Sequence, residues 1–153
     1  MQMRNYQLIA AAFLSLSLSA VAESKIERSA LPAAVEKTVQ VQSQGATIKG
    51  FATDREHGKK IYEVEMIFNG HSKDIEIAED GTLNEIEEQV AFESLPTQVQ
   101  NALTAKAAGA KTTKVESLSK QNKLVAYEAA TLKGTRKGEI QVGPDGGKLA
   151  HEE

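Results

Sequence analysis

Three histidines, His57, His71 and His151, are the only imidazoles in the chain, and cysteine is absent. Nucleophilic catalysis needs a nucleophile, a base in hydrogen-bond reach and a group that orients the base. Without cysteine the nucleophile would have to be a serine. His57 falls in Asp54-Arg55-Glu56-His57-Gly58, which reads as a loop tip, His71 follows an Asn-Gly turn, and His151 lies three residues from the end of the chain. None is placed for a triad, so no catalytic residue is assigned and a non-enzymatic protein is expected. Metal ligation needs ligands converging from rigid positions. Asp54, Glu56 and His57 share one loop with Arg55 between them, so no metal site and no cofactor is expected. Gly143-Pro144-Asp145-Gly146-Gly147 is glycine-rich but sits between two strand patterns, which makes it turn chemistry and not a phosphate cradle. What remains is a set of carboxylates, Glu63, Glu65, Glu76, Glu128 and Glu139, at alternate positions of extended segments.

The elements that would position those carboxylates come in two copies. Leu31-Pro32-x-x-Val35 recurs as Leu95-Pro96-x-x-Val99, and Gly45-Ala46 as Gly109-Ala110, both at an offset of 64. Tyr62-Glu63 then matches Tyr127-Glu128, Ile75-Glu76-Ile77 matches Ile140-Gln141-Val142, and Asp80-Gly81 matches Asp145-Gly146, now at an offset of 65. Matches in one order along the chain are the mark of a tandem duplication. In each copy a proline opens a helical pattern, where its fixed φ is already suitable. Apolar residues follow at helical spacing, and Gly45 or Gly109 closes the segment in the left-handed conformation. The period then becomes two: Tyr62, Val64, Met66 and Phe68 share one side of a strand over residues 60–69, with Glu63 and Glu65 on the other. Asn69-Gly70 is a two-residue hairpin signal, and residues 74–78 form the next strand. The acidic stretch 84–93 reads as a helical or irregular connector.

The expected fold class is therefore α+β: a tandem duplication of a helix plus a three- to four-stranded antiparallel meander, with the helices on one sheet face. The other face is open and collects Glu63, Glu65, Glu76, Glu128 and Glu139, with Lys60, Lys73, Lys123 and Arg136 near enough to offset their repulsion. The helix opening with Leu-Pro, the Tyr62-Glu63-Val64 strand and the Ile75-x-Ile77-x-x-Asp80-Gly81-x-Leu83 ending resemble the PepSY-like domain family. In tandem form they resemble the β-lactamase inhibitory protein fold. The resemblance spans residues 31–83 and 95–149. It implies secreted or periplasmic binding or inhibitory modules without catalytic machinery.

Composition sets the compartment. Arg4, an apolar stretch over residues 8–19 and Ala20-Val21-Ala22 read as a secretory leader with a cleavage pattern. The apolar run is shorter than the roughly 20 residues of a spanning helix, so no membrane insertion is expected after cleavage. The expected domains are residues 1–22 as leader, 23–94 as the first repeat with its acidic connector, and 95–153 as the second repeat. Without disulfides, units of about 60 residues are expected to share a sheet or core. Tryptophan is absent and aromatics make up 5% of the chain, which argues against a large aromatic ligand pocket. Residues 23–94 hold 15 acidic and 8 basic side chains, whereas residues 95–153 hold 6 acidic and 9 basic. Neither half has the dense basic stripe of a nucleic-acid binder. The expectation is a periplasmic or secreted binding module, an inhibitor or regulator of an exported hydrolase such as a peptidase. The alternative is an envelope protein that binds small ligands or cations through the acidic face.

Overall fold

The computed structural model describes residues 24–56 and 58–151. The leader segment and His57 lie outside the described residues. Two helices, α1 (Ala33–Gln42) and α2 (Thr97–Ala107), accompany eight strands: β1 (Ser24–Lys25), β2 (Ala46–Glu56), β3 (Lys59–Phe68), β4 (His71–Ala78), β5 (Leu83–Gln89), β6 (Lys111–Lys120), β7 (Lys123–Lys133) and β8 (Arg136–Val142). The strands form one antiparallel sheet in chain order from β1 to β8. Strand accounts for 52% of the structure and helix for 21%, so the sheet dominates.

This corrects the expected fold class. The chain is a single eight-stranded sheet carrying two helices, not an α+β tandem of helix-plus-meander units. The difference lies in residues 83–89. The presumed connector is strand β5, which pairs with β4 on one side and with β6 on the other. Glu85, Glu87 and Glu88 disfavour a strand by intrinsic preference. Pairing on both sides nevertheless satisfies the backbone groups of β5 and removes two sheet edges that would otherwise stay open.

Each helix starts where proline sets the backbone: Pro32 (φ −59°) and Pro96 (φ −54°) occupy the N-cap positions. Val35 and Val39 of α1, and Val99 and Leu103 of α2, are fully buried. Burying such side chains stabilises by roughly 1.5–3 kcal/mol each. The first core joins α1 to Tyr62, Val64, Met66, Ile75 and Ile77. The second joins α2 to Val115, Ala129 and Val142, with Tyr127 packed half-buried against it. Two Asp-Gly turns press onto the first turns of the helices. Gly81 (φ +88°) leaves no room for a side chain: a Cβ there would lie 2.7 Å from the Ala34 carbonyl oxygen. Gly146 (φ +81°) is equally tight, 2.6 Å from the Gln98 carbonyl oxygen. Thr38 Oγ1 donates a hydrogen bond to the Gly81 carbonyl at 2.6 Å, fixing the first turn to its helix. Both helices thus sit on the side of the sheet that carries Val64 and Ala129. Among the described residues the core clusters all belong to that side, and the opposite face is open.

Candidate functional site

Side chains alternate across a strand, so the register decides what the open face holds. Opposite Glu63 stands Glu76, and opposite Glu76 stands Glu85. In the next row Glu65 faces Asp74, which faces Glu87. Further along, Gln89 faces Glu116, and Glu116 faces Glu128, which faces Gln141. Glu139 pairs with Ala130 at the last strand. Nine carboxylates from six strands therefore share one side of the sheet. Like charges directly opposed across strands destabilise a sheet, so this face must be balanced from within or from outside.

All five carboxylates singled out from the sequence lie on the open side. Glu63, Glu65 and Glu76 gather with Asp74, Glu85 and Glu87 around a depression of about 190 Å³. Glu128 belongs to a separate row with Glu116, and Glu139 is exposed at the far strand. The sequence reading missed Glu85, Glu87 and Glu116. The first two lay in the segment read as connector, and the position of Glu116 depends on the β5–β6 register.

The expected counter-charges are also corrected in part. Lys60 and Lys73 point to the helix side, where their ammonium groups lie over the rings of Tyr62 (4.8 Å) and Phe68 (5.6 Å). By register Lys25 and Lys137 share the acidic side, and two lysines of β6 form ion pairs there. Lys114 Nζ lies 2.7 Å from Glu116 Oε2, and Lys120 Nζ lies 3.1 Å from Glu85 Oε2. Gln141 Nε2 donates to Glu128 Oε2 at 2.8 Å, and Ser72 Oγ donates to Glu116 Oε1 at 3.3 Å. Ala126 and Leu118 supply apolar surface between the carboxylates, and both are buried.

Burial against that surface raises carboxyl pKa values, because a poorly solvated site disfavours the charged form. Glu87 is pushed up to about 8 by burial, then by hydrogen bonding to Glu85 and by the charges of Glu85, Glu116 and Glu128. Asp74 is raised by burial and by Glu116. Glu128 is raised by burial and by Glu139 and Glu116, against the hydrogen bond from Gln141. Asp74, Glu87 and Glu116 hold carboxylate oxygens within 4.8 Å of one another. Lys114 already supplies a positive charge to that group, whereas a calcium ion would need six to eight oxygens. His71, at the start of β4, and His151 are both exposed.

No family model matches this chain, and no curated protein matches it. Solved structures do. A protein described as periplasmic from Bacteroides eggerthii shares 17% identity over 78% of this chain and 86% of its own, at a TM-score of 0.63. A BLIP-like protein from Bacteroides fragilis shares 17% identity over 80% of this chain and 85% of its own, at a TM-score of 0.59. A DUF2874 family protein from Bacteroides ovatus shares 18% identity over 78% of this chain and 84% of its own, at a TM-score of 0.60. At such identities the fold is what is shared, and the chain has a BLIP-like fold. No described helix is long and apolar enough to cross a membrane.

Proposed function

We propose that this chain is an exported, non-enzymatic binding module of the PepSY-like kind, whose open sheet face docks a basic patch on a protein partner. Its place is the periplasm or the medium, and its role is to inhibit or regulate an exported hydrolase such as a peptidase. One observation carries the docking reading: nine carboxylates stand on the uncovered side of the sheet, more than the lysines that the register places there. A face with that balance attracts cationic surfaces over several ångströms and makes association sensitive to salt. The leader pattern of residues 1–22 supports export, and the periplasmic and BLIP-like descriptions of the fold neighbours fit a binding role.

The test is a pull-down from envelope extract with the mature chain and with a Glu63→Gln/Glu128→Gln variant. One dominant basic partner, depleted in the variant, is the expected result. Equal recovery by both proteins would remove the open face from recognition. The rival reading, a binder of small ligands or cations on the same face, predicts instead that calcium raises the melting temperature, because a ligand of the folded state stabilises it by mass action.

A further inference from the structure

The open face holds more negative charge than its own lysines balance, and the excess is concentrated around Glu87. From β4, Asp74 opposes Glu87 directly, with Glu65 of β3 behind it. On its own strand Glu85 stands two residues away on the same side of the sheet. From β6 come Glu116, 5% exposed, and Leu118, 2% exposed, the latter directly opposite Glu87. Glu128 of β7 adds a further negative charge opposite Glu116. The cations facing this group are Lys114, held by Glu116, and Lys120, held by Glu85. Oxygens of Asp74, Glu87 and Glu116 lie within 4.8 Å of one another. Full ionisation would therefore leave adjacent negative charges against an apolar wall, the arrangement in which paired carboxyls share a proton.

We propose that the carboxyls gathered around Glu87 hold a proton in common at neutral pH, so that the charge of the open face is graded by pH. The consequence for recognition rests on the docking reading above: a basic partner is held more tightly as the proton leaves. Burial acts in the same direction at Asp74 and Glu87. Lys114 stays charged at neutral pH, since Glu116 raises its pKa against the opposing effect of its own burial.

The experiment is a carboxyl-carbon NMR titration of the mature chain labelled at Asp and Glu side-chain carboxyls, from about pH 4 to about pH 10 with a chelator present. At least one Glu resonance should titrate with a midpoint above about pH 7, and that midpoint should vanish in Glu87→Gln. Amide spectra confirm that the variant is folded, and Glu85→Gln serves as the second variant. Should neither fold, the wild-type titration alone decides. Carboxyls that all titrate below about pH 6 would overturn the shared proton, whatever any partner does. An alkaline midpoint combined with partner binding that is flat from about pH 6 to about pH 9 would leave the shared proton standing and sink the docking reading.

Discussion

Replacing Glu87 by Gln copies the shape of the protonated carboxyl and removes the ionisation. The wild-type group moves from an ordinary value of 4.5 to about 8 on folding. Between those values the folded state binds more protons than the unfolded chain, so stability falls as pH rises through the window. Below it both states are protonated and nothing is lost; above it the full cost of ionising the buried group is felt. At about 1.4 kcal/mol per unit the shift amounts to about 5 kcal/mol, and solvent reaching the rim of the face screens it to about 2–4 kcal/mol. Asp74 and Glu128, also raised, act with the same sign. Urea denaturation near pH 5 and near pH 9 measures the difference. Glu87→Gln should exceed the wild type by less than about 1 kcal/mol near pH 5, at the lower edge of the window, and by about 2–4 kcal/mol near pH 9. Parallel stability profiles for the two proteins would refute the reasoning.

Tyr62, 2% exposed, should cost about 3–5 kcal/mol when replaced by Ala, and the half-buried Tyr127 about half of that, both read from urea midpoints. Gly81→Ala should lose about 2–4 kcal/mol, because the new Cβ meets the Ala34 carbonyl at 2.7 Å. Gly70→Ala, at a similar positive φ but with open space around it, should lose only about 1 kcal/mol in the same assay. Intact-mass analysis of the exported protein should find Glu23 as the first residue, and a retained Met1 would contradict the leader reading.

The parts of the fold that were legible in the sequence are those set by local backbone chemistry. Pro32 and Pro96 mark the helix starts, Gly45 and Gly109 follow the helix ends with positive φ, and Asn69-Gly70 turns β3 into β4. The alternation of Tyr62, Val64 and Met66 gave both the strand and its buried side. What escaped depends on pairing between distant segments. Strand β2 has a register shift between Ile48 and Gly50 that breaks its alternation. Strand β5 is acidic, so only its neighbours β4 and β6 make it a strand. Val115 and Leu118 look like one apolar set, yet Val115 packs under α2 while Leu118 lies among the carboxylates. For the same reason five carboxylates of the open face were found from alternation alone, whereas the Glu85–Glu87–Glu116 group needed the β5–β6 register to come into view.

The central claim is that the carboxylate face recognises a basic protein, and association kinetics test it most directly. Surface plasmon resonance would follow the captured envelope partner binding to wild type and to Glu63→Gln/Glu128→Gln across a salt series. The account predicts association about 3- to 10-fold slower in the variant at low salt, with a flatter dependence on ionic strength, while the fold stays intact. Equal association rates at every salt concentration would contradict it.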